Sequence, residues 1–186
     1  MAAAALNLPT EVYATLTGTL DQTATQRILN SFSTASLNGV TKMHVLFQSS
    51  GGGIGDGVCL YNFFRSLQID LTLYNVGTVS SIAVVAYLGG RHRKVSRHGT
   101  FMIHRTQTTT QAANTQTVKA FAESAVLFDK NTESILREHI KNMPAEKWAH
   151  FNHNDLWFSA EDAVKFGVAD EIAEFMPPAG TRLFNT

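Results

Sequence analysis

A serine at the head of an apolar run, a glycine turn upstream and a histidine closing an apolar strand downstream are the residue types that acyl-transfer chemistry needs. They stand in Gly77-Thr-Val-Ser-Ser81-Ile-Ala-Val-Val-Ala-Tyr-Leu-Gly89, in Ser49-Ser-Gly-Gly-Gly53 and in Phe101-Met-Ile-His104. Ser81 is the candidate nucleophile. At a helix N-terminus its oxygen feels the positive end of the peptide dipoles, and its own N–H and its neighbour's lack intrahelical partners. His104 is the candidate base, because an unperturbed imidazole titrates at ~6.5 and takes up a proton near neutral pH. Gly51 and Gly52 are candidates for an oxyanion hole, since glycine lets backbone N–H groups come close to a ligand. Asp155 lies where the polar Asn152-His-Asn-Asp155 meets the apolar Leu156-Trp-Phe158. It is the candidate carboxylate for holding the imidazole in one tautomer. Each feature alone has a plainer explanation: an N-cap serine, a satisfied strand histidine, a tight turn, a loop aspartate.

Other chemistries are poorly supplied. Gly51-Gly-Gly-Ile-Gly55 resembles a phosphate cradle but lacks the Gly-Lys-Ser/Thr that would complete it. None of the histidines stands at metal-ligand spacing with a carboxylate or a cysteine pair, so no metal and no cofactor is expected in this chain. Lys+Arg and Asp+Glu balance at 15 each, which argues against a nucleic-acid partner and is compatible with a packed oligomer. The local cluster Arg91, His92, Arg93, Lys94, Arg97, His98 reads as a solvated turn or a subunit contact. The one cysteine, Cys59, excludes an intramolecular disulfide and fits a reducing compartment. It reads as a small buried hydrophobe. The start, Met1-Ala-Ala-Ala-Ala-Leu6, lacks the basic segment of a signal peptide, and no apolar run approaches the ~20 residues of a bilayer span. A soluble, cytoplasmic protein is expected.

The elements that must position these residues follow from periodicity. Glu11 to Thr17 alternates as a strand. Asp21 caps a helix to Leu37 with Ala24, Ile28, Leu29 and Phe32 inward. Met43 to Phe47 is a buried strand, Gly55 to Leu67 a helix, Leu71 to Val76 a strand and Ser81 to Leu88 a helix. Lys94-Val95 and Thr100 to His104 are further strands. Alternating strands and helices with short links imply parallel pairing, which puts the glycine turn and the Ser81 turn at one sheet edge. Thr115 to Asn142 is a long helix ended by Pro144, with Val118, Phe121, Ala122, Ala125, Phe128, Ile135, Leu136 and Ile140 at helical spacing. Its apolar stripe needs a partner. Ser159-Ala-Glu-Asp162 is a capping box for a helix to Phe166, and Val168 to Ile172 returns as a strand. With 186 residues the chain suits one domain. The expected division is a short tail at 1–10, the long helix at 115–142 and a C-terminal tail at 174–186.

These segments together resemble the proteolytic subunit of the Clp proteases, the ClpP family of serine peptidases, from about Val12 to Ile172. Ser49-Ser50-Gly51-Gly52 is similar to the family's Ser-Pro-Gly-Gly turn, and the spacing onward places Ser81 on the nucleophile. Phe101-Met-Ile-His104 resembles its Met-Ile-His segment. Asp155-Leu-Trp-Phe-Ser-Ala160 and Ala163-Val-Lys-Phe-Gly167-Val-Ala-Asp170 resemble its Asp-Arg-Phe-Leu-Ser-Ala and Ala-Val-Glu-Tyr-Gly-Leu-Val-Asp stretch. The resemblance implies an α/β fold of the ClpP/crotonase-like ββα spiral type with a protruding handle helix. It implies a Ser81-His104-Asp155 triad with the N–H groups of Gly52 and Ile82 as oxyanion donors. It also implies a homo-oligomer of stacked heptameric rings that degrades peptides and unfolded chains, fed by an AAA+ unfoldase that uses the ATP. Ser50 replaces the family's Pro, Ala83 stands where a Gly is usual, and Arg105-Thr-Gln-Thr-Thr-Thr110 lacks the glycines that line the substrate strand. The residues before Val12 lack the axial-loop segment that helps engage the ATPase.

Rival readings remain at this level. One is a Ser–Lys peptidase of the same fold with Lys119 as base. Others are a phage-type head-maturation protease, a catalytically silent ring subunit, and a crotonase that binds acyl-CoA, which has no need of this Ser/His/Asp set.

Overall fold

The long third strand organises the molecule, because it changes partner along its length. The computed structural model describes residues 9–107 and 114–186. In chain order the elements are β1 (Glu11–Thr17), α1 (Gln22–Leu37), β2 (Lys42–Ser49), α2 (Ile54–Ser66), β3 (Asp70–Ser80), α3 (Ile82–Tyr87), β4 (His92–Val95) and β5 (Thr100–Ile103). There follow α4 (Thr115–His139), α5 (Ala145–Phe151), β6 (Leu156–Phe158), α6 (Ala160–Phe166), β7 (Glu171–Ile172) and β8 (Leu183–Asn185). The strands form one sheet ordered β6-β5-β3-β2-β1-β8, with β4 branching from β3 and β7 pairing with β4. All pairs are parallel except β5 with β6. Parallel neighbours joined through helices are the arrangement that alternating strand and helix patterns dictate.

The first half of β3 pairs with β4 and its second half with β5. Between them the β2–β3 register slips from Phe47↔Asn75 to Ser49↔Val79, so β3 carries extra residues there. Fully buried Asn75 fills the break. Its amide donates to Thr100 O at 2.8 Å, and its Oδ1 accepts from Gly77 N–H at 3.0 Å. A buried amide with both ends satisfied is tolerated at this junction where an unpaired one would not be. The strand therefore continues to Ser80 rather than ending at Val76, and delivers Ser81 beside β5.

The core lies between the sheet and α1, α2 and α3. Asp21 accepts from Ala24 N–H at 2.8 Å and starts α1, whose Ile28 and Phe32 are fully buried. Every residue of α3 is buried. Gly57 and Gly89 let α2 approach α3, since a side chain at either would meet Ile82 or the Tyr61 backbone at 2.3 and 2.7 Å.

Several expectations are corrected. Cys59 is exposed, because α2 turns Gly57, Leu60, Tyr61 and Phe64 inward and Cys59 falls on its outer face. The long helix ends at His139, not Asn142: Ile140 leaves helical geometry to bury itself in the core, and Pro144 begins α5 instead of stopping α4. The stretch 174–186, expected as a tail, contributes β8, parallel to β1. Most of the N-terminal tail expected at 1–10 lies outside the described residues, as does part of the Arg105–Thr110 stretch. The first half of α4 exposes Val118, Phe121, Val126, Leu127 and Phe128, while Leu136 near its end is buried. The basic cluster remains largely a solvated turn: Arg91, His92, Arg97 and His98 are exposed, while within the chain His92 bonds Asp70, Arg93 pairs with Asp170 and Lys94 with Glu171. Among the described residues no helix is long and apolar enough to cross a membrane.

Candidate active site

Ser81 follows the last residue of β3, and its N–H donates to Met102 O of β5 at 2.7 Å. Its backbone sits at φ 59°, ψ −135°, and among the described residues it is the one non-glycine with positive φ. Such a conformation costs of order 1–3 kcal/mol and persists only where packing imposes it. Here the imposing elements are the bulged β3 and the buried α3. Ser81 occupies the N-cap position of α3, yet its side chain makes no cap hydrogen bond. The plain explanation of this serine therefore fails: the hydroxyl is turned away from the helix.

It is turned toward His104, whose Nε2 lies 2.8 Å from Ser81 Oγ. The other ring nitrogen, Nδ1, lies 2.6 Å from the Arg105 carbonyl oxygen. A carbonyl only accepts, so Nδ1 carries the proton. In the neutral ring Nε2 is then bare and accepts from the serine. This is the tautomer that a general base needs.

Asp155 does not supply that orientation by contact. The antiparallel β5–β6 register ends at Ile103↔Leu156, so the next position across from His104 is Asp155. The backbone thus brings the two together, but the Asp155 side chain is exposed, and among the described residues it makes no hydrogen bond to His104.

The glycine turn is pressed against the serine. Leu20 N–H donates to Gly51 O at 2.9 Å and Gly53 N–H to Leu20 O at 2.8 Å, which fixes the turn to the chain after β1. Gly51 has φ 106°, and a Cβ there would lie 2.6 Å from Ser81 Cβ. Gly52 has φ 153°, and a Cβ there would lie 2.1 Å from Leu20 O. Neither position admits a side chain. Gly52 and Ile82 both line a cavity of about 290 Å³ at the serine, together with His104, Thr106 and Leu136. Among the described residues neither N–H is taken by a backbone partner. Lys119 does not line this cavity and is exposed on the first half of α4.

Sequence reasoning missed two supports of the base. Arg105 reaches Glu133 of α4 at 2.6 Å, bonds Asn152 and stacks over Phe151 at 4.7 Å. Thr106 N–H donates to Asp129 Oδ1 at 2.7 Å. Asp129 and Glu133 stand one helical turn apart, the spacing of side chains on one helix face. That spacing is the one signal of such a pair that a sequence carries.

The sequence model of the Clp protease family matches residues 5–176. The ATP-dependent Clp protease proteolytic subunit 1 of Chlamydia felis is 28% identical over 130 residues, covering 69% of this chain and 63% of that protein. Proteolytic subunit 4 of Rhodococcus jostii is 28% identical over 127 residues, covering 67% and 64%. The chain thus spans less than two thirds of the length of these relatives. A ClpP1 mutant from Listeria monocytogenes shares the fold at a TM-score of 0.76 and 16% identity, over 88% of this chain and 91% of that one.

Proposed function

The chain belongs to the Clp protease family, and on that premise we propose that it is a serine endopeptidase acting on short peptides or unfolded chains. The observation that carries the reading is the 2.8 Å contact between Ser81 Oγ and a bare His104 Nε2, made by a serine held in a strained turn. Ser81 attacks the peptide carbonyl as Nε2 takes its proton. The imidazolium returns that proton to the leaving amine, and water then repeats the cycle on the acyl-enzyme. The N–H groups of Gly52 and Ile82 hold the oxyanion, each donor worth ~10²–10³ in rate. Asp155, one register step across from His104, stabilises the imidazolium through its charge. No cofactor enters these steps.

Assembly belongs with this activity. The exposed apolar side chains on the first half of α4 support a role for this helix as the handle that meets other copies, in stacked heptameric rings enclosing the serines. An AAA+ unfoldase would deliver folded substrates, and a cytoplasmic setting suits both.

The test is labelling with a serine-reactive fluorophosphonate, mapped by peptide mass spectrometry. Label is expected on Ser81 and is expected to vanish in His104→Ala. Label elsewhere, or undiminished label in the histidine variant, ends this reading.

A further inference from the structure

The imidazole is oriented by a peptide group, and that peptide is itself held from α4. The Arg105 carbonyl and the Thr106 N–H belong to one planar unit and point in opposite directions, since the bond is trans. One side accepts from His104 Nδ1 at 2.6 Å, and the other donates to Asp129 Oδ1 at 2.7 Å. A carboxylate accepting from the N–H polarises the peptide and makes its carbonyl a stronger acceptor. It also fixes the plane's rotation, which the carbonyl alone cannot do. The Arg105 side chain, tied to Glu133, Asn152 and Phe151, keeps the same residue from sliding along α4.

We propose that Asp129 is a positioning residue that sets the His104 tautomer through the 105–106 peptide, doing at one remove what a directly bonded carboxylate does in a triad. This deepens, and rests on, the peptidase reading above. The helix α4 then has two roles, since its exposed end meets other copies while its middle holds the base. A displacement of α4 would be felt at Nε2.

The tautomer depends on the bond to Thr106 N–H, not on the charge of residue 129. Asp129→Asn keeps an acceptor there and should retain the wild-type tautomer and label Ser81 at a rate within about threefold of wild type. Asp129→Ala removes the acceptor without harming helix propensity, and should lower the labelling rate roughly tenfold, the scale on which one orienting hydrogen bond acts. Solid-state ¹⁵N spectra of histidine-labelled protein supply the readout that a merely structural role would not move. The His104 signals, identified by their loss in His104→Ala, should show the proton on Nδ1 in wild type and Asp129→Asn, and a mixture of tautomers in Asp129→Ala. An unchanged tautomer in Asp129→Ala overturns the proposal. So does an Asp129→Asn variant that loses the wild-type tautomer, which keeps the test decisive even if Asp129→Ala fails to fold. Absent fluorophosphonate label in wild type would count against the peptidase reading instead, while the spectra would still decide this one.

Discussion

His104 and His139 are the same side chain put to opposite uses, and the difference lies in what faces Nδ1. At His104 it is a carbonyl, which only accepts, so the proton is on Nδ1 and Nε2 is open to the serine. At His139 it is the Arg93 guanidinium at 3.3 Å, which only donates, so Nδ1 is the acceptor and the proton points from Nε2 to Tyr61 Oη at 3.1 Å. When His104 takes a proton from Ser81, both of its ring contacts survive. When His139 is protonated, a new N–H is set against a guanidinium. Burial, aided by the Arg93 charge, accordingly pushes the His139 imidazole down to about 4. A histidine is a base or a structural strut according to whether its neighbours tolerate the imidazolium.

Moving the serine while leaving the histidine alone breaks this contrast most severely. Gly51→Ala places a Cβ 2.6 Å from Ser81 Cβ, closer than two non-bonded carbons can approach, and forces a non-glycine to φ 106°. The hydroxyl must move off Nε2, and a displacement of about 1 Å at a reacting group can cost ~10² in rate. Peptide hydrolysis is therefore expected to fall about a hundredfold, with the ¹⁵N tautomer of His104 unchanged. Near-wild-type turnover would show that the glycine turn does not hold the serine.

A milder change asks which acceptor orients the base. Replacing a directly bonded triad aspartate by Asn costs ~10⁴ in turnover, because Asn reverses the tautomer. Here the carbonyl of Arg105 already faces Nδ1, and in the mechanism we propose Asp155 acts only through its charge. Asp155→Asn is expected to cost about tenfold in kcat for a short fluorogenic peptide. A loss near ~10⁴ would mean that the working enzyme exchanges the carbonyl for the carboxylate.

The sequence disclosed those parts of the site whose demands are local. A strained serine between strand and helix, glycines where no Cβ fits, and a histidine at a strand end each leave a mark within a few residues. The motifs ending in His104 and beginning at Asp155 were legible too, and the fold sets the strands beside them, β5 and β6, in antiparallel register as far as Ile103↔Leu156. Hidden from it were contacts with no local pattern. Thr106 meets Asp129, 23 positions away, and nothing in Arg105-Thr-Gln107 announces that its peptide will face a histidine. The direction of the Asp155 side chain was equally invisible, since register places a backbone and not a carboxylate. The elements missed outright, α5, β6 and β8, have seven residues or three, too short for a period to declare itself. Cys59 was misplaced because its apolar neighbours belong to both faces of α2.

The smallest expected effect falls on stability, and it is the sharpest check on the role of His139. The unfolded chain binds a proton at this histidine below ~6.5, whereas the folded chain does so only near 4. Between these values the unfolded state holds more protons, so stability is lost as pH falls through that window and is fully present above it. His44, held low by burial despite its bond to Glu11, pulls in the same direction. His139→Gln cannot titrate, so it should remove part of the difference between urea unfolding at pH 7 and at pH 4.5, leaving the share due to His44. Because the ring is partly exposed, solvent screening holds the effect to roughly 1–2 kcal/mol. Peptidase activity at pH 7 should stay within about twofold, since His139 touches neither Ser81 nor His104. If the variant keeps the full pH dependence, the guanidinium contact does not disfavour the imidazolium. The contrast between the two histidines would then rest on position alone.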